Sequence, residues 1–225
     1  YLLSQFLSPY TNRRRDSYGG TLDGRLGFVR EVVSAVKDAL GPERALLVKF
    51  NLEDGFRGGL QIDEAVVVAR AFEKAGADAL VPSGGFVSRT PFFMMRGDVP
   101  VRQMVRNERR AFRRMGLRVF GRLVVQRYPY RDLFFFDGAK RIVEAVSAPV
   151  VLLGGVRTLD QMEQAIKEGF EFVSMARPLI HDPELPSKLE SGQASGSGCI
   201  PCNLCVAEME RAGIRCPVAE EGRRG

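Results

Sequence analysis

The chain has 225 residues, 45% of them apolar and 27% charged, which suits one sizeable core and excludes a disordered chain. No apolar run reaches the ~18 residues of a membrane-spanning helix, no secretory pattern opens the sequence, and all four Cys fall between Cys199 and Cys216 instead of forming a scattered disulfide framework. The net charge of +6 is concentrated in one window, 102–118, with seven Arg and one acid, so nucleic acid is not an expected partner and a reducing, cytoplasmic setting is.

Apolar residues at spacings of three and four predict a helix over 22–40, stopped by Gly41-Pro42. A short apolar strand over 45–50 leads through Gly55, Gly58 and Gly59 into a helix over 62–75, ended by Gly76. The unit then repeats. A strand over 78–82 is followed by an excursion over 83–136, too long for an ordinary βα loop and read as an insertion with its own helix. Within that insertion Val101, Met104, Val105, Phe112 and Met115 recur at helical spacing, so the Arg-rich window reads as one amphipathic helix with a basic outer face. That favours a solvated helix over membrane contact, with docking on an acidic membrane surface or partner as the sharper alternative. Phe92, Phe93, Met94 and Met95 are open to two readings, an apolar lid or packing. Further elements are predicted over 137–146 (helix), 149–153 (strand), 159–167 (helix) and 170–174 (strand).

Short apolar strands alternating with amphipathic helices call for a parallel sheet covered by helices, an α/β fold. Four such strands make half of a closed (β/α)8 barrel, which needs ~250 residues. The expected organisation is therefore a half barrel over 1–190 with an insertion at about 84–136, followed over 191–225 by a Gly/Ser linker and a Cys-rich tail.

Three groups of residues carry chemistry. Gly154 and Gly155 directly follow one predicted strand, and Met175-Ala176-Arg177-Pro178 follow the next. Glycines let backbone N–H groups approach phosphate oxygens, and Arg adds a forked contact. The alternative is a tight turn, with Arg177 paired to Asp182. Lys49 ends a strand at the barrel mouth, where a cation faces a ligand or else pairs with Glu53 or Asp54. Finally, Cys199, Cys202, Cys205 and Cys216 form an all-thiolate set suited to a [4Fe–4S] cluster or to structural zinc, the close triplet favouring the cluster. Unliganded thiols are the plainer alternative. The lone His181 reads as a surface or capping residue.

The opening segment Y-L-L-S-Q-F-L-S-P-Y-T-N-R-R, continued by Asp16, Tyr18-Gly19-Gly20-Thr21-Leu22 and Arg25, resembles a signature of the Old Yellow Enzyme family of FMN-dependent oxidoreductases. The resemblance implies a flavin-binding (β/α)8 barrel of which this chain is the C-terminal half. It matches Tyr1 to the family's proton donor, and it implies that the chain begins two residues past the His/Asn pair that polarises substrate. It sets Lys49 beside N1 and the C2 carbonyl of the flavin. The FMN phosphate falls at Gly154, Gly155, Ala176 and Arg177, with Ala176 standing where the family usually has Gly. The segment G-C-I-P-C-N-L-C-V resembles the cluster loop of the dienoyl-CoA reductase and trimethylamine dehydrogenase branch, which implies [4Fe–4S].

The expected activity is hydride transfer from NAD(P)H through FMN to an activated alkene or similar small-molecule acceptor, with little activity from these residues alone. The rival expectation is a non-catalytic half-barrel module that binds a phosphorylated ligand and carries a zinc-stapled tail. Exposed strand edges make a homo-oligomer compatible with either.

Overall fold

A computed structural model of the chain describes residues 1–209, 211 and 213–222, together with all side chains of these except those of residues 122, 124 and 221. Residues 210, 212 and 223–225 of the expected tail lie outside the described residues. The chain divides into two compact units. The first comprises Tyr1–Met94, Leu133–Val156 and Glu163–Ser174, and the second Met95–Asp132, Arg157–Met162 and Met175–Gly225.

In the first unit α1 (Leu2–Leu7) packs on α2 (Leu22–Leu40), with the Phe6 and Phe28 ring centroids 4.4 Å apart. Thr21 caps α2 by accepting a hydrogen bond from the Gly24 N–H at 3.2 Å, and Gly41, at φ 70°, ends it. Buried Arg25 donates from α2 to the Leu7 carbonyl and to Glu64, tying α1 and α3 (Ile62–Lys74) to the same helix. Strands β1 (Leu47–Asn51) and β2 (Ala79–Ser83) pair in parallel, as do β3 (Val151–Leu153) and β4 (Phe172–Ser174). A Leu80–Val150 bridge joins the two pairs, giving the order β1-β2-β3-β4 expected of consecutive βα units.

Strand alternation separates two faces. Phe50 turns to α3, where it meets Phe72 edge-on at 5.4 Å, and Leu80, Val150 and Leu152 are buried with it. Leu47, Lys49 and Asn51 therefore lie on the opposite face. The register sets Lys49 beside Val81, and Val151 beside Phe172. This second face is uneven: Leu47 is 57% and Phe172 55% exposed, whereas Ala79, Ser83 and Val151 are buried.

The second unit contains α4 (Val101–Asn107), α5 (Ala111–Val124), α8 (Arg177–His181), α9 (Leu185–Glu190), α10 (Leu204–Glu208) and α11 (Pro217–Gly222). α6 (Phe136–Val143) lies in the first unit, and the division passes through α7 (Leu159–Lys167). The single helix expected over the Arg-rich window is thus two helices. The chain turns extended at Glu108, whose carboxylate accepts the Arg110 N–H at 2.8 Å and starts a new helix there. Phe92 and Phe93 are buried. A Cβ on Gly55, Gly84 or Gly85 would come within 3 Å of the Phe93 ring or its Cβ, so Phe93 packs closely on these glycine turns.

Candidate functional site

Tyr1 stands at the N-cap of α1, its side chain 90% exposed. Its carbonyl accepts from Ser4 Oγ at 2.7 Å and from the Gln5 N–H at 3.2 Å. Lys49 is exposed on β1 and makes no ion pair among the described residues. Asp54, the partner offered as an alternative, is buried and already engaged by Ser8 Oγ at 2.6 Å, the Leu60 N–H at 2.8 Å and Asn51 Nδ2 at 3.1 Å. Neither Glu53 nor Asp54 pairs with Lys49 among the described residues, and the exposed cation is available to a ligand.

Gly154 and Gly155 follow β3 with φ of 104° and 84°, a conformation that side chains rarely adopt. A Cβ on Gly154 would lie 2.7 Å from the Phe135 ring and 2.9 Å from that of Phe134. The turn is therefore shaped by aromatic packing as well as by any ligand.

Ala176 is the N-cap of α8 and Arg177 its first residue, in the second unit. The Arg177–Asp182 pair offered as an alternative does not form. Asp182 accepts from Lys188 at 2.7 Å, whereas Arg177 donates to the Arg96 carbonyl at 2.8 Å and to Asn203 Oδ1 at 2.7 Å. Arg177 and Arg157 both lie over the Tyr130 ring, 6.0 and 4.8 Å from its centroid. Arg157 also donates to Asp132 at 3.0 Å and to the Cys199 carbonyl at 3.2 Å, while its Nε is buried without a partner. Burial and the bond to Asp132 push the Tyr130 hydroxyl up to about 12, against the two arginines, so the phenol stays neutral.

The cysteines are the best-defined constellation. Cys199, Cys202, Cys205 and Cys216 all line one pocket, together with Arg177 and His181. His181 is thus no surface cap: its ring packs where a Cβ on Gly198 would lie 3.0 Å away, and its Nδ1 is buried without a partner. Asn203, between two of the cysteines, is buried and left-handed at φ 55°. Its Nδ2 donates to the Met95 carbonyl at 2.6 Å and to that of Asp98 at 2.8 Å, while Asp98 N–H bonds the Pro201 carbonyl at 2.9 Å. Behind Cys205 the buried Glu208 accepts from Arg215 at 2.8 Å, Asn107 at 3.1 Å and Gln103 at 3.2 Å. Arg215 and the Asn107 bond hold its carboxyl below the usual range despite burial. The inserted α4 is therefore tied to α10, the helix that carries Cys205.

Burial pushes the Cys199 thiol up to about 11; Arg177 opposes this, and the other three cysteines reinforce it. Cys205 is raised by burial in the same way. Four thiols lining one pocket suit a group that brings positive charge and displaces their protons.

Sequence reasoning missed Asn203, Glu208, Arg157 and Tyr130. Only Asn203 carried a usable signal, being an Asn, the residue most tolerant of left-handed backbone, inside a tight Cys loop.

Residues 1–87 match the family model for the NADH:flavin oxidoreductase / NADH oxidase family. This stretch belongs to that family. Among its relatives, the 4,4'-dithiodibutanoate disulfide reductase of Rhodococcus erythropolis is 37% identical over 98% of this chain and 54% of its own length. The metal reductase of Desulforamulus reducens is 35% identical over 99% of this chain and 29% of its own. The solved 6-hydroxypseudooxynicotine amine oxidase of Pseudomonas geniculata N1 superposes with a TM-score of 0.71 at 27% identity, over 100% of this chain and 30% of that one. The chain thus spans about half the length of the first relative and about three-tenths of the other two. The matched stretch of the NADH:flavin oxidoreductase family contains Tyr1, β1 and Lys49, whereas the cysteine loop lies beyond it.

Proposed function

We propose that the chain is part of an NAD(P)H-dependent FMN oxidoreductase acting on an activated alkene or a similar small acceptor. What supports this most is Lys49: it lies within the family match, exposed on β1, and without an ion-pair partner among the described residues. When bound, FMN would supply two-electron carrier chemistry between nicotinamide and acceptor. The Lys49 ammonium would then neutralise negative charge that builds beside it on reduction. The Tyr1 hydroxyl would give a proton to the α-carbon of the acceptor. The reading keeps Gly154, Gly155, Ala176 and Arg177 as candidates for phosphate binding. The buried, unpartnered Nε of Arg157 beside Arg177 also fits an anion.

The donor chemistry of the cysteine pocket fits a [4Fe–4S] cluster, held by Cys199, Cys202, Cys205 and Cys216, which would supply one-electron transfer. A tetrahedral zinc with Zn–S of about 2.3 Å needs sulfurs only about 3.8 Å apart. Among the described residues no three His, Cys, Asp or Glu side chains are grouped to hold a metal ion, yet the four cysteines share one pocket. The close triplet of Cys199, Cys202 and Cys205 favours a polynuclear group over the zinc alternative.

Lys49→Met is the direct test of the flavin reading. It is expected to slow flavin reduction by NAD(P)H about 10- to 100-fold and to lower the flavin potential, with FMN still bound. Unchanged rate and potential would remove Lys49 from the site.

A further inference from the structure

The described helices include none long and apolar enough to cross a membrane, but one is built to lie on its surface. In α5, Phe112 is 91% and Leu123 85% exposed, and Met115, Val119 and Phe120 are each more than half exposed. At 100° per residue these five side chains fall on one stripe. Gly121, where α5 rests on α4 and a Cβ would come 2.8 Å from Val101, lies about half a turn away. The apolar stripe therefore points away from the unit that carries it. This reverses the sequence expectation of a helix with a basic outer face.

The polar residues of α5 are as one-sided as the apolar ones. The helix contains no Asp or Glu. Arg113 and Arg118 flank the stripe, Arg114 lies behind it and Arg110 caps the helix, and none of the four enters an ion pair among the described residues. Every cation in the 102–118 window is Arg, whose planar fork pairs with phosphate oxygens. An exposed Phe/Met/Leu stripe rimmed by unpaired arginines has the composition of an interfacial helix, whose apolar face enters the acyl boundary while its cations meet anionic headgroups. A second copy of the chain is a poor occupant, because it would set arginines against arginines.

We propose that α5 docks the protein on an anionic lipid bilayer surface. The test is co-sedimentation of the full chain with vesicles of phosphatidylcholine containing phosphatidylglycerol. Binding is expected at low salt, about tenfold weaker to phosphatidylcholine alone and weakened by high salt. Phe112→Ser with Leu123→Ser, or Arg113→Gln with Arg114→Gln and Arg118→Gln, should each reduce it about tenfold, with the circular dichroism unchanged. The chain contains no Trp, so Phe112→Trp is a lone reporter whose emission should shift to the blue on anionic vesicles. Absence of vesicle binding, binding indifferent to both sets of substitutions, or no emission shift would each overturn the proposal. Retention by polyglutamate without vesicle binding would also overturn it, assigning the face to an acidic protein.

Discussion

Asn203 joins more of the cysteine site than any cysteine does. It gives two hydrogen bonds to carbonyls of the insertion, takes one from Arg177, and holds left-handed backbone between Cys202 and Cys205. Asn203→Ala would leave buried partners unsatisfied and make the backbone conformation harder to hold. Each unsatisfied buried group costs about 1–3 kcal/mol, so a loss of about 2–4 kcal/mol is expected in denaturant unfolding. Glu208 makes a second residue-scale prediction. Its folded pKa is depressed, so its contribution to stability is fully present above the unfolded value, about 4.3, and is lost as pH falls through the folded one. Below about pH 4.3 the wild type should lose stability more steeply than Glu208→Gln, and parallel acid-unfolding curves would refute the assignment.

Among the elements, helices over 22–40 and 159–167 were legible to the residue because their ends carry local punctuation. Thr21 and Gly41 fix the first, and Gly169 closes the second with its N–H on the Ile166 carbonyl. Strands were less legible at their starts. The expected strand over 170–174 begins at Phe172, since the Phe170 N–H is spent on the Ala165 carbonyl at the end of α7. Likewise Leu46 is held by the Asp78 side chain at 2.6 Å and falls outside β1. Periodicity located the apolar residues of the insertion, but it could not show that those of α5 would find no cover, because cover depends on distant chain. Glycine punctuation was equally ambiguous, and Gly154 shows why. Gly154→Ala would drive a Cβ against Phe135 and hold an unfavourable φ, with an expected loss of about 1–3 kcal/mol by thermal unfolding. A mutant as stable as wild type would mean that aromatic packing does not shape this turn.

On the scale of the whole molecule, the parallel order β1-β2-β3-β4 was legible from alternation alone, because each βα unit repeats the same local pattern. The partnership of insertion and tail was not. Residues as far apart in sequence as Asn107 and Glu208 meet through a single buried carboxylate, which no spacing rule reveals. The resulting unit gathers all four cysteines, and the proposed cluster is the central claim about it. The most direct measurement is the visible spectrum, with iron and sulfide content, of the chain reconstituted without oxygen. A broad band near about 400 nm with about four irons per chain, lost in Cys202→Ser, is the predicted result. A colourless protein that instead takes up one zinc per chain would contradict it.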